Sequence, residues 1–513
     1  MKTNQQRLTA AQTDRACGVL LASAVGDALG AGYEFGTATY HGWPAMIGGG
    51  LGGFAPGEWT DDTAQALAIA AVAATGADLR DSQALDAIAA NFAAWYAGNP
   101  PDVGIQTGRV LRIAGPDATA AAMTAAARAV HDRTGRSAGN GSLMRTAPVA
   151  LAHLDDPTAL VEAAMAVSAL THHQDIACEA AALWCLMIRH TVLTGDLPDL
   201  DTWDGFTELG ARASSGTDWR AVLAEAEARP ASHFRVNGWA VGALQAAWSA
   251  IVQTPVPGDL PCRHLQTALA TAIGIGEDTD TVAAIAGALL GARWGSSAVP
   301  QQWSAIVHGW SPDGDAHGPD LVRLAQLTAQ GGRSMGRSGW PTCDYMDYRG
   351  WGGESTYVAH PLVEGVWIGG ALPLDDLSAE IDAVVSLCRV GVTQVPPGLT
   401  HHVVRLLDTD AADNPNIEFV IDDAARTVLS LREEGKRVFL HCVAAHSRTP
   451  TVAVRVAMLA GASLGDATRA VLGALPMAQP RSFLREALER LAERDGSVGG
   501  PSDNDRDKRR VER

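Results

Sequence analysis

The sequence is short of positive charge, of patterned cysteine and of any long apolar run, and each shortage removes a class of function. Lys and Arg number 39 against 57 Asp and Glu, a formal charge of −18. That balance disfavours nonspecific nucleic-acid binding, which needs a basic surface to meet phosphates. The seven cysteines (17, 178, 185, 262, 343, 388 and 442) form no CxxC pair and no regular spacing. An odd, scattered set argues against a disulfide framework or a zinc site and leads us to expect a reduced, cytoplasmic protein. No segment reaches the roughly 18 unbroken apolar residues of a membrane span, so no membrane partner is expected. The stretch RACGVLLASAVG, residues 15–26, imitates a signal peptide. The segment before it is long and polar, carries Asp14 and has few cations, which argues against that reading.

What is present is a globular composition, 47% hydrophobic over 513 residues, too long for one ordinary core. Up to about residue 310 the chain is dominated by Ala-rich helical runs such as TAQALAIAAVAA, DIACEAAALWCLMIRH and GWAVGALQAAWSAIV. Small residues let helices approach closely, so an all-α bundle with buried central helices is expected over residues 12–310. Gly331 to Thr356 is rich in Gly, Ser and aromatics without apolar periodicity, and residues 311–360 read as a linker. Strand-like runs then appear at 363–370, 381–388, 401–407 and 436–442, alternating with helical patterns, which predicts a smaller α/β domain over 361–495. The polar, mixed-charge tail 496–513 is expected to be disordered. The fold class is therefore multidomain, a helical bundle followed by an α/β domain.

Two stretches of the first part pose a problem of charge. GEWTDDTAQALAIAAVA places Asp61 and Asp62 at the start of an apolar helix, and GEDTDTVAAIAGALLG places Asp278 and Asp280 at the start of another. Thr60 or Asp61 can cap a helix, and first-turn acids favour the positive end of its dipole by some tenths of a kcal/mol. Capping alone does not account for the recurrence. A helix apolar all round is buried, its first turn with it, and buried carboxylates without a counter-charge cost several kcal/mol each. No Arg or Lys stands in either motif. A divalent cation resolves the conflict, with Thr60, Asp61, Asp62, Asp278, Asp280 and Thr281 as candidate ligands. An all-oxygen set favours Mg²⁺ or Mn²⁺, and four carboxylates suffice for two ions.

GVLLASAVGDALGAGYE, WTDDT, PPDVGIQTGRVL, GNGSLMRTAPVAL, THHQDIACEAA and GEDTDTVAAIAGALLG occur here in one order. In that order the chain resembles the ADP-ribosylglycohydrolases over roughly residues 12–310. The resemblance implies an all-α binuclear Mg²⁺/Mn²⁺ hydrolase that cleaves the bond between ADP-ribose C1″ and its acceptor. Thr60, Asp61, Asp62, Asp278, Asp280 and Thr281 match its metal positions, and Glu34 matches an acid that some members carry on a flap near the substrate. Departure from C1″ builds oxocarbenium character, and the proton work falls to Asp62 or Glu34. The turn at Gly139, Asn140, Gly141, Ser142 and Met144 offers close backbone approach to diphosphate or ribose. His172 or His173 is a candidate to line the pocket.

The second part carries RVFLHCVAAHSRTPTVAVRV, residues 437–456. A strand delivers Cys442, six residues lead to Arg448, and a helix begins at Thr449-Pro450, where Pro is welcome. Backbone N–H groups of Val443, Ala444, Ala445, His446 and Ser447 can encircle a phosphate, and the helix N-terminus adds positive potential. That field lowers the thiol pKa of Cys442 and readies it as a nucleophile, while Arg448 can grip two phosphoryl oxygens. From about residue 360 to 495 the chain resembles the dual-specificity protein-tyrosine phosphatases. The resemblance implies a phosphocysteine mechanism without a cofactor. Its general acid is matched by Asp408, with Asp410 and Asp413 as alternatives; Thr449 matches the hydroxyl that assists thiolate release, and His441 the residue that supports the loop. Ala445 stands where many members have Gly, a strain of about 1 kcal/mol if its φ is positive.

The expected protein is a bifunctional hydrolase. It would remove ADP-ribose from a modified protein or small acceptor, and hydrolyse the phosphate monoester of a protein or small molecule. The alternative is a phosphatase whose helical domain only binds ADP-ribose and recruits substrates.

Overall fold

Thr9 accepts the N–H of Gln12 on its hydroxyl, and the Gln12 side chain accepts the N–H of Thr9, so both ends of a capping box close. The helix they start, α1 (Ala10–Gly30), is small or apolar on nearly every face and buried from Ala16 onward. The computed structural model describes residues 7–332, 345–352, 357–391 and 393–498. The chain divides into two compact units, residues 1–257 with 261–342 and residues 258–260 with 343–513.

The first unit is built around α1. Its neighbours include α2 (Asp61–Ala73), α3 (Asp175–Thr194) and α4 (Thr279–Trp294), the last buried over nearly its whole length. A Cβ on Gly287 would overlap the backbone of Ala22, so α1 and α4 touch backbone to backbone, which glycine alone permits. Ser23 donates to the carbonyl of Ala284 at 3.0 Å across the same contact. By length and composition the run from Ala10 and the helix α3 are apolar enough to cross a membrane. The apolar window of the first is wholly buried and that of the second is 78% buried, as in core helices.

One sequence expectation needs correction here. The unit is helical over the expected bundle, at whose end β1 (His308–Ser311) and β2 (Gly314–His317) form an antiparallel hairpin. Residues 311–332 are not linker: α5 (Gly318–Ala329) follows the hairpin, and Cys17 of α1 donates its thiol to the carbonyl of Val322 at 3.7 Å. Residues 333–344 and 353–356 of the expected linker lie outside the described residues, as does 499–513 of the expected tail.

The second unit is an α/β domain with a five-stranded mixed sheet. Its strands are β3 (Tyr357–Ala359), β4 (Val366–Gly369), β5 (Ala383–Ser386), β6 (Thr400–Val403) and β7 (Val438–His441). Their order is β3-β4-β7-β5-β6, antiparallel at the β3–β4 pair and parallel elsewhere. All four residues of β5 and of β7 are buried, so both faces of the sheet centre are covered, which is why these runs read as continuously apolar. Helices α6 (Ile417–Glu433), α7 (Arg448–Leu459), α8 (Leu464–Ala474) and α9 (Ser482–Val498) complete it. The helix α9 carries order past the expected boundary at 495. Parallel strands put their carboxyl ends, and the loop after β7, on one edge.

Candidate functional site

In the first unit α1 assembles the acids. Asp27, fully buried, accepts the N–H groups of Thr60 (3.0 Å) and Thr63 (3.0 Å) and the Thr63 hydroxyl (2.6 Å), and so holds the first turn of α2. At the other side Thr279 donates its hydroxyl to the carbonyl of Gly30 at 2.8 Å and ties the start of α4 to the end of α1. Thr60 is the N-cap of α2, accepting from Asp62 N, so the capping reading holds. Carboxylate oxygens of Glu34, Asp278 and Asp280 lie within 4.8 Å of one another. Asp62 Oδ2 accepts the hydroxyls of Thr60 (3.2 Å) and Thr281 (3.4 Å), while its buried Oδ1 has no hydrogen-bond partner among the described residues. Asp61 Oδ2 accepts from Gln65 Nε2 at 2.7 Å and from the N–H of Gly104 at 3.5 Å.

Electrostatics marks the cluster as short of positive charge. Burial first, then Asp278, pushes Glu34 up to about 8. Burial, with Asp102 and Asp27, pushes Asp61 up to about 8. Asp62 and Asp280 are raised well above the usual carboxylate range, by burial and then by Asp27 and Asp278 respectively. An unpartnered buried carboxylate oxygen among mutually repelling acids is a donor set that fits hard divalent cations.

Asn140 donates from Nδ2 to Asp278 Oδ2 at 2.8 Å and to the carbonyl of Asn237 at 3.0 Å, so its side chain braces an acid. Ser142 is fully buried, and Met144 offers its sulfur to the Thr281 hydroxyl at 3.9 Å. Gly139 and Gly141 face His172: a Cβ on either would lie 3.4 Å from its ring. His173 instead sits beside His131, ring centroids 5.3 Å apart.

In the second unit the loop after β7 is held from outside. The carbonyl of Val443 accepts from Ala371 N (2.9 Å), that of His446 from Gln479 N (2.7 Å), and Ser447 Oγ from Arg481 N (3.2 Å). The N–H groups of residues 443–447 donate to no protein acceptor among the described residues, which leaves them for an anion. Cys442 is buried and free. Arg448 gives Nη1 to the carbonyls of Leu387 (2.7 Å) and Leu406 (3.2 Å), and its buried Nε has no hydrogen-bond partner among the described residues. Asp408 Oδ2 is 3.8 Å from that Nε, whereas Asp410 and Asp413 bond within their own loop. Ala445 has φ +58°, the positive value at which Ala is strained. His441 bonds Ser386 Oγ (2.7 Å) and its own neighbour's carbonyl at Cys442 (3.1 Å); burial pushes it down to about 3, a neutral ring. Thr449 donates its hydroxyl to the carbonyl of Gly369 at 3.1 Å.

Residues 8–335 match the ADP-ribosylglycohydrolase family. The chain belongs to that family. It is 30% identical over 304 residues to ADP-ribosylarginine hydrolase Tri1 of Pseudomonas putida, covering 58% of this chain and 75% of that protein. It is also 30% identical over 305 residues to ADP-ribosyl-[dinitrogen reductase] glycohydrolase of Rhodospirillum rubrum, covering 56% of this chain and 89% of that one. The second unit resembles in fold the crystal structure of human DUSP28, at 20% identity and a TM-score of 0.24, over 26% of this chain and 90% of that one.

The glycohydrolase unit holds site residues that sequence reasoning missed. Asp27 lies within the GDALG stretch, and an acid inside an apolar buried helix is the signal that marks it. Gln65 follows Asp61 by four residues, one helical turn, on an otherwise apolar helix. Asn237, whose Oδ1 accepts the N–H of Asp278 at 3.2 Å, and Asp102 carry no such signal.

Proposed function

We propose that this chain is a bifunctional hydrolase of a reducing, cytoplasmic setting. Its first unit would release ADP-ribose from a protein or small acceptor, arginine-linked substrates being the first choice from the names of its relatives. Its second would hydrolyse a phosphate monoester of a protein or small molecule. The observation that carries the first activity is the buried acid cluster with its unpartnered Asp62 Oδ1.

Thr60, Asp61, Asp62, Asp278, Asp280 and Thr281 would hold two Mg²⁺ or Mn²⁺. When bound, such ions orient ribose hydroxyls and acidify water. The chain's own residues do the rest. Water adds to C1″ as the bond from C1″ to the acceptor breaks, and the acceptor leaves with a proton. Glu34 suits that proton better than Asp62. It stands on the turn 31–36 beside exposed Phe35, whereas Asp62 is 1% exposed and bonded to two hydroxyls. His172 faces the glycine turn from inside and borders the sugar-phosphate path.

In the second unit Cys442 Sγ attacks phosphorus, the ester P–O bond breaks, and Asp408 supplies the proton to the departing oxygen. Arg448 Nε and the free N–H groups hold the phosphoryl oxygens, and water then releases phosphate from sulfur.

The two activities are tested together by two variants of the full chain. Cys442→Ser is expected to abolish phosphatase turnover and spare ADP-ribose release, and Asp278→Ala the reverse. Loss of both activities from either change would refute the assignment of one chemistry to each unit.

A further inference from the structure

A buried cation within reach of the acid cluster stands outside both acid motifs. Arg145 ends the glycine turn, is fully buried, and lies over the Phe92 ring, 4.5 Å from its centroid. Among the described residues it bonds no carboxylate. Its Nη1 donates to Gln65 Oε1 at 2.5 Å and its Nη2 to Thr171 Oγ1 at 2.6 Å.

Both acceptors pass a direction on. With Oε1 taken by Arg145, the Gln65 amide is fixed so that Nε2 donates to Asp61 Oδ2 at 2.7 Å, and Asp61 keeps its other oxygen for a cation. Thr171 has one hydroxyl hydrogen, and Arg145 offers only donors. Its remaining partner among the described residues is His172 Nδ1, at 2.7 Å. The hydroxyl therefore donates to Nδ1, and the ring carries its hydrogen on Nε2, the nitrogen beside Gly139 and Gly141. Burial first, and Arg145 second, hold His172 well below its ordinary range, so the ring is neutral.

We infer that Arg145 is a positioning residue for two sides of the site at once. Through Gln65 it orients Asp61 toward a cation, and through Thr171 it makes His172 an N–H donor toward an oxygen of the bound ligand. A base at His172 is thereby excluded. The inference rests on the reading that Asp61 and His172 serve one site.

The test uses the full chain labelled with ¹⁵N-histidine, with His172→Gln to assign the ring, alongside titrations with Mn²⁺ alone and with ADP-ribose. Because Arg145→Met removes a buried group and can fail to fold, the decisive variants cut one arm each. In the parent protein Nε2 is expected to be protonated and Nδ1 bare. Thr171→Val should disturb that tautomer and weaken ADP-ribose while leaving Mn²⁺ affinity unchanged. Gln65→Leu should weaken Mn²⁺ by about 10-fold or more and leave the tautomer intact. A protonated Nδ1 in the parent, or equal loss of Mn²⁺ affinity in both variants, would overturn the inference. Failure of the parent to bind ADP-ribose with the tautomer as expected would instead count against the proposed substrate.

Discussion

Gly30 and Asp280 are in backbone contact: a Cβ placed on Gly30 would lie 2.5 Å from the Asp280 Cα. The last residue of α1 thus fixes where the acids of α4 begin. Gly30→Ala must push α4 away from α1, and overpacking of this kind costs roughly 1–3 kcal/mol. The expected outcome is a lower melting temperature together with weaker Mn²⁺ binding, measured by thermal unfolding and by titration. A variant with parental stability and affinity would show that the contact does not position the acids.

Ala445 holds a positive φ in the loop that surrounds Cys442. The left-handed conformation costs an L-residue about 1–2 kcal/mol, and glycine returns about 0.5–1 of that as added freedom in the unfolded chain. Ala445→Gly is expected to stabilise by up to about 1 kcal/mol and to raise phosphatase turnover; Ala445→Val should lower both. Thermal unfolding and turnover on an aryl phosphate check this, and a less stable glycine variant contradicts it.

Asp408 reaches two arginines, accepting from Arg481 Nε at 2.9 Å and standing 3.8 Å from Arg448 Nε. Asp413 accepts the Thr409 hydroxyl at 2.6 Å and Asp410 the N–H of Asp413 at 3.1 Å. Asp408→Asn is expected to lower kcat by about 10²–10⁴ on esters with poor leaving groups and far less on activated ones. Asp410→Asn and Asp413→Asn should retain most turnover. A full loss at either of those positions would move the general acid.

His401 and His441 share Ser386 Oγ, at 2.9 and 2.7 Å. Burial, aided by His402, pushes His401 down to about 4, and burial pushes His441 down to about 3, from an ordinary 6.5. The unfolded chain therefore takes up protons that the fold refuses. The stability they contribute is complete above about pH 6.5 and is lost as pH falls through 4 and then 3, by at most about 1.4 kcal/mol per unit for each ring. Acid titration of the unfolding midpoint should show that slope, and His401→Asn should flatten it between pH 6.5 and 4. An unchanged slope would mean His401 is not part of the coupled pair.

Most of the second unit was legible because its central strands are buried on both faces and read as continuous apolar runs, as VFLH in β7 does. The hairpin 308–317 was not. HGWS and GDAH hold no β-branched residue, and their place is set by tertiary bonds, such as Trp59 N to the His308 carbonyl at 3.0 Å. In the first site the buried acids were legible from carboxylates placed before apolar helices. Their supports were not: Gln65 and Arg145 are 80 residues apart in sequence, and only the fold brings them together. Asn140 shows the same limit, since its amide bonds Asp278, 138 residues away in sequence.

The central claim is that the buried acids hold cations that serve ADP-ribose release. The most direct measurement follows free ADP-ribose from an arginine-ADP-ribosylated protein, with and without Mg²⁺ or Mn²⁺, for the parent and Asp61→Ala. Metal-dependent release that disappears in Asp61→Ala is the predicted result. Equal release after chelation, or undiminished release by Asp61→Ala, would contradict it.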